Sequence, residues 1–175
     1  MMAATADDIK RLREETSCGV IDCKNALEEA KGDFNKAKEL LRKRGLEMAA
    51  KKSDRLAKEG RVEAYIHTGN KIGVVVEVNC ETDFVARSED FCKFTRDLAL
   101  HIAALNPKFI KKEDIPAEVL AREADKEAFI KANSLLAQAF VKDPSKSIQD
   151  LLNELVAKIG ENIIIGRFVR YKVGE

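Results

Sequence analysis

The apolar residues of this chain change their period near Gly60, and that change limits the fold more than any other feature of the sequence. Before it they recur at intervals of three and four: Ile9 with Leu12, then Ala26, Leu27 and Ala30, then Phe34, Ala37, Leu40 and Leu41. That spacing puts each group on one face of a helix. After it, Val62, Ala64 and Ile66 alternate, Gly69-Asn70 supplies a turn, and Ile72 to Val78 is rich in β-branched residues, which together predict a β-hairpin. Gly73, inside the second strand, predicts a bulge or a close backbone approach.

Helical spacing then returns. Ser88 stands as a cap before Phe91, Phe94, Leu98, Ile102 and Leu105, and Pro107 closes the segment. A further helix is predicted from Pro116 to about Ala139. Asp143-Pro144-Ser145 reads as a turn before Ile148, Leu151, Leu152, Leu155, Val156 and Ile159, a strongly amphipathic series that ends at Gly160. Ile163 to Val173 is β-branched and aromatic, and reads as a last strand. Hairpin and last strand are each half apolar. The expected fold class is therefore α+β: a three-stranded, mainly antiparallel sheet with helices on one face.

Punctuation divides the chain into three parts. Residues 1–45 form a three-helix module, with Asp22 as a cap of the second helix, Gly32 as its end, Asp33 capping the third and Gly45 terminating it. Residues 46–59, charged and alanine-rich, predict a linker helix, and residues 60–175 form the α+β core. So small a module buries little and offers no deep pocket, which suits adhesion more than catalysis.

Composition removes several functions. Lys and Arg total 31 against 30 Asp and Glu, so there is no net field to gather nucleic acid or an acidic membrane. Asp7 and Asp8 interrupt what would be a signal peptide, and no stretch reaches membrane-spanning length, which points to a cytoplasmic protein. Neither GxGxxG nor GxxxxGK[ST] occurs, so the chain is not itself a P-loop GTPase. Cys18, Cys23, Cys80 and Cys92 lack the paired short spacing of zinc ligands, and buried thiols are the expectation. His67 sits beside a turn and His101 in a helix, with no GxSxG or Cys/His signature near either. No catalytic residue, cofactor or metal is expected.

One segment stands apart, Val78-Asn79-Cys80-Glu81-Thr82-Asp83-Phe84-Val85-Ala86-Arg87, which runs from a strand straight into a helix start. Taken alone, it makes Asp83 a cap and Phe84 a core residue, as most phenylalanines are. An acidic residue beside a large aromatic at a junction also suits a binding tip. Three stretches resemble the elongation factor Ts family: Leu12-Arg13-Glu14-Glu15-Thr16 through Asp22-Cys23-Lys24-Asn25-Ala26-Leu27 with Gly32-Asp33 and Leu41-Arg42, the VNCETDFVAR run, and Ile159-Gly160-Glu161-Asn162-Ile163 with the closing strand. The first is similar to the family's ubiquitin-associated-like module.

The resemblance implies a translation factor that is not an enzyme. It would bind elongation factor Tu, both GDP-bound and nucleotide-free, and promote GDP release. Asp83 and Phe84 would form an intrusive tip, with Thr82 and Val85 beside them also binding the partner and Phe84 wedging near the magnesium and phosphate site of the GTPase domain. Arg13, Val20 and Ile21 match module positions that touch a helix of the same domain, Val20 and Ile21 standing where methionines are common. His101, in the HIAA sequence, is similar to a segment near the GTPase's third domain. Little separates the TDFV region from HIAALNPKFI, so the chain resembles the family's short form, and a symmetric homodimer would supply a second core unit. The alternatives are an adaptor that uses the helical module without driving exchange, and an RNA-binding ribosomal accessory, which near-zero net charge disfavours.

Overall fold

The computed structural model describes residues 5–16 and 18–175. The chain divides into two compact units: one holds the chain up to Arg55 together with Asn153–Asn162, the other Leu56–Leu152 with Ile163–Glu175. In chain order the elements are α1 (Ala6–Thr16), α2 (Val20–Glu29), α3 (Phe34–Lys52), β1 (Glu59–Ile66), β2 (Ile72–Cys80), α4 (Asp83–Ala86) and α5 (Glu89–Leu105). After these come α6 (Ala117–Arg122), α7 (Lys126–Asn133), β3 (Ala139–Phe140), β4 (Asp143–Ser147), α8 (Ile148–Ile159) and β5 (Ile164–Lys172).

In the first unit Leu12, Cys23, Ala26, Leu27, Ala30, Ala37 and Leu41 make a small core, with Ile9, Phe34 and Leu40 at its margin. The cap of α2 is Gly19, not Asp22. Asp22 falls in the helix's first turn, where its charge faces the positive end of the helix dipole. Lys31 and Gly32 turn left-handed and end α2, and the Asp33 carboxylate accepts the Lys36 N–H at 3.1 Å to start α3. Gly45 does not terminate α3. The module's third helix and the expected linker helix are one element as far as Lys52, because strong helix formers on both sides carry the ladder through a single glycine.

The end of α3 explains a motif. The amide nitrogen of buried Asn162 donates to the carbonyls of Ser53 at 3.2 Å and Arg55 at 2.7 Å, while the Lys52 ammonium reaches the Gly160 carbonyl. Asn162 thus supplies donors that the chain leaving α3 lacks, and Gly160, left-handed, lets α8 stop so that Asn162 can turn inward.

In the second unit the sheet order is β1-β2-β5 with both pairings antiparallel, and the fold class is α+β. Val74, Val76, Val78 and Cys80 on the central strand are buried, and α5 lies across β1 and β2 with Phe91, Phe94, Leu98 and Ile102 turned inward. Register between β1 and β2 runs unbroken through Ile66 opposite Gly73, so Gly73 marks no bulge. The bulge lies at Glu77/Val78 against β5, where Gly166 is the extra residue. Gly60 is the position that admits no side chain: its φ is 152° and a Cβ there would lie 2.3 Å from the Val78 carbonyl oxygen.

The stretch between α5 and α8 departs most from expectation. In place of one helix from Pro116 to about Ala139 there are α6, α7 and a 3-10 turn at Leu135–Ala137. Asp125 breaks the run by capping α7, its carboxylate accepting the Ala128 N–H at 2.9 Å. Asp143–Ser147 is a short strand paired with β3 rather than a turn.

Candidate functional site

The site of interest in the second unit is the corner where β2 meets α4. The strand delivers Cys80 into the core, and its thiol donates to the Thr82 carbonyl at 3.1 Å. Thr82 remains extended and its hydroxyl accepts the Val85 N–H at 3.3 Å, so Thr82, not Asp83, is the cap of α4. Past α4 the corner closes: Ser88 bonds the Val85 carbonyl through its hydroxyl at 2.8 Å and caps α5 at the Phe91 N–H at 3.4 Å. A single helical turn is thereby held at both ends by side-chain caps.

That turn sorts its residues by direction. Val85 and Ala86 point inward and are buried, whereas Phe84 points outward with 81% of its surface exposed. Phe84 is therefore not a core residue. Asp83 and Arg87, one turn apart and both exposed, form an ion pair spanning the short helix that carries Phe84. Such a pair contributes under about 1 kcal/mol in water. Val85 anchors the tip from inside rather than presenting it.

In the first unit, Val20 and Ile21 open α2 and are exposed by 51% and 73%. Arg13, also exposed, stands in the last turn of α1, so the three flank one helix-helix connection. Their neighbour Leu12 is fully buried, which fixes the face that Arg13 shows to water.

His101 is placed differently from what a direct contact requires. Its side chain is completely buried; Nδ1 accepts the Val141 N–H at 3.2 Å, so Nε2 carries the proton and donates to Gln138 Oε1 at 3.0 Å. Burial holds its pKa below the ordinary histidine range against the opposing effect of the Gln138 bond. Both nitrogens are used inside the protein, and none of the ring faces solvent. His67 follows β1, exposed, with Nδ1 3.0 Å from the Tyr65 hydroxyl.

A surface absent from the expected site residues is the sheet's outer face. Its rungs are Val62-Glu77-Arg167, Ala64-Val75-Val169 and Ile66-Gly73-Tyr171, and of these Val62, Ala64, Ile66, Val75, Arg167, Val169 and Tyr171 are exposed. The signal was present in the sequence, since β2 and β5 carry apolar residues at both alternating sets of positions. Among the described residues no group of three His, Cys, Asp or Glu side chains gathers as a metal set, and no helix is long and apolar enough to cross a membrane. All four cysteines are thiols, Cys23 and Cys80 buried, Cys18 and Cys92 half-buried.

Comparison with known proteins gives one answer. The sequence matches the family described as Elongation factor TS over residues 6–127 and 125–175, the two stretches meeting at the start of α7. It is 50% identical to elongation factor Ts of Caldanaerobacter subterraneus subsp. tengcongensis, covering 98% of this chain and 97% of the relative. It is 48% identical to that of Thermoanaerobacter sp. (strain X514), covering 98% and 95%, and 48% identical to that of Desulfotalea psychrophila, covering 99% and 100%. A match at this identity across nearly the whole of both chains places the chain in the elongation factor Ts family of translation elongation factors.

Proposed function

We propose that this chain binds elongation factor Tu and accelerates release of its GDP, acting as a wedge and not as an enzyme. The observation that carries the reading is Phe84, a phenylalanine 81% exposed on a turn capped at both ends. An aromatic kept in water on a rigid support gains its burial energy only when another protein provides the pocket. Burying it contributes about 1.5–3 kcal/mol. If that energy is available only in the nucleotide-free GTPase, it shifts nucleotide affinity by roughly ten- to a hundredfold, since about 1.4 kcal/mol is tenfold.

Linkage makes the effect mutual: GDP weakens the factor's grip by the same ratio as the factor weakens GDP. The factor itself then needs no cofactor, the magnesium belonging to the GTPase. Thr82 and Val85 hold the wedge, Asp83 and Phe84 enter, and Arg13, Val20 and Ile21 add a separate apolar and cationic contact from the helical module. His101 acts from within, fixing the Gln138–Val141 segment instead of touching the partner. A second copy of the chain is the reading for the sheet's outer face, whose three rungs carry five exposed large apolar residues around the Glu77–Arg167 pair. Ile66→Glu would then shift sedimentation to the monomer, and an unchanged wild-type monomer at all concentrations would end the dimer reading.

The deciding experiment is stopped-flow release of a fluorescent GDP from elongation factor Tu with the wild type and with Phe84→Ala. Acceleration by the first alone supports the wedge. Binding without acceleration by either makes the chain an adaptor.

A further inference from the structure

The start of α2 holds two thiols in a relation the exchange function does not use. Gly19 is the helix cap, so Cys18 occupies the position before the cap and Cys23 the fourth residue of the helix. Side chains at those two positions pack together across a helix start, ordinarily as a hydrophobic pair that fixes the angle at which the chain enters. Here the pair is two cysteines. The Cys23 sulfur lies 3.8 Å from the Cys18 carbonyl oxygen and 3.9 Å from the Thr16 hydroxyl. The Cys18 sulfur lies 3.6 Å from the Thr16 carbonyl, and the Thr16 hydroxyl is 3.5 Å from the Cys18 amide nitrogen. Both thiols thus sit around the same threonine, Cys18 half-buried and within reach of solvent, Cys23 fully buried behind it.

We propose that Cys18 and Cys23 are a modification site: they form a reversible disulfide across the start of α2, by exchange with a low-molecular-weight disulfide, and so lock the turn that presents Val20 and Ile21. The Cys18 thiolate attacks one sulfur of the small disulfide, whose S–S bond breaks and releases one thiolate. The Cys23 thiolate then attacks the Cys18 sulfur and expels the second. Two electrons and two protons pass from the cysteines to the small disulfide, which leaves as two thiols. Exposure sets the order, since only Cys18 is open to the first attack. Burial pushes both thiols above their usual range, so the reaction is slow near neutral pH and quickens as pH rises. Cys80 and Cys92 lie in the other unit and serve as internal controls.

The effect of the lock on partner binding rests on the reading of Val20 and Ile21 given above, whereas the crosslink does not. The full-length protein, incubated with glutathione disulfide, is alkylated, cut with trypsin and weighed. Both cysteines fall in the one peptide Glu14 to Lys24. The expected product is that peptide lighter by two hydrogens, carrying no alkyl group, and restored by dithiothreitol. Cys23→Ser should stop at a stable glutathione adduct on Cys18, and Cys18→Ser should leave Cys23 unmodified. Separate adducts on both cysteines of the wild type, at every pH tried, would overturn the proposal. Oxidised wild type should then differ from identically treated Cys18→Ser in its Kd for elongation factor Tu by about threefold or more. Equal affinity with the crosslink formed would overturn the lock. No binding by either form would instead count against the proposed function, and the mass measurement would still decide the disulfide.

Discussion

Phe84 leaves most of its ring in water, and for a phenylalanine that forgoes about 1.5–3 kcal/mol of burial. Because the ring is mostly exposed, Phe84→Ala should change the unfolding free energy by less than about 0.5 kcal/mol while abolishing most of the proposed exchange activity. A large drop in Tm would show that the ring packs after all. The sequence held both possibilities for this residue, since an isolated phenylalanine carries no sign of which way it points. The direction is set by the pair of caps at Thr82 and Ser88, of which Ser88 was legible and Thr82 was masked by the neighbouring Asp83. His101 gives the opposite lesson: its helical spacing placed it on α5, but its two partners, Gln138 and Val141, lie about forty residues away and leave no local trace. Because burial lowers its pKa, the unfolded chain binds protons more readily than the folded one near the ordinary value of 6.5. Its contribution is therefore complete above that pH and is lost as pH falls toward the lower folded value. Denaturant unfolding between pH 7 and 5 should show wild type losing stability more steeply than His101→Gln. Parallel curves would mean the ring is not buried neutral.

The elements are legible where a single residue offers the cap, and less so where neighbours compete for it, as Gly19 with Asp22 and Thr82 with Asp83, or where the partner lies far along the chain. Asp33, Ser88 and the Gly160 stop each worked within one turn of the chain, and α3, α5 and α8 start or end where those residues demand. Gly45 misled because a glycine in the middle of strong helix formers looks like an end. It keeps ordinary helical backbone, and a Cβ there would meet only the Ala157 Cβ, at an unstrained 3.7 Å. Gly45→Ala should accordingly stabilise the protein by about 0.5–1 kcal/mol. A rise in Tm measures it, and a fall would show that the backbone at 45 needs glycine's freedom. The stretch from Asn106 to Ser147 was least legible, because its helices are one or two turns long and its register is set by bonds such as Phe109 N–H to the Asn133 carbonyl, far apart in sequence.

At the scale of the whole molecule, the tail of α8 belongs with the amino-terminal helices. Seven buried residues, among those described, are a thin core for a free-standing module, and residues 153–162 extend it through Ala157 against Gly45 and through the two Asn162 bonds to Ser53 and Arg55. The boundary is thus legible in the sequence as a change of period but not as a list of members, since a helix that serves both units has one continuous apolar pattern. Removing residues 1–55 should therefore act unevenly. The β1-β2-β5 ladder keeps its own pairings and its cover by α5, so its amides should stay protected from hydrogen exchange. The last turns of α8 lose the contacts at Ala157, Gly160 and Asn162, and their amides should exchange faster by about ten- to a hundredfold, the size expected when about 1.4–2.7 kcal/mol of local stability goes. Asn162→Ala in the full-length chain should reproduce part of that change, as it removes the side-chain donor to both carbonyls and costs about 1–3 kcal/mol. Uniform loss of protection across sheet and helix after the truncation would mean the two units fold as one, and unchanged protection in α8 would mean that its tail is held by the second unit alone.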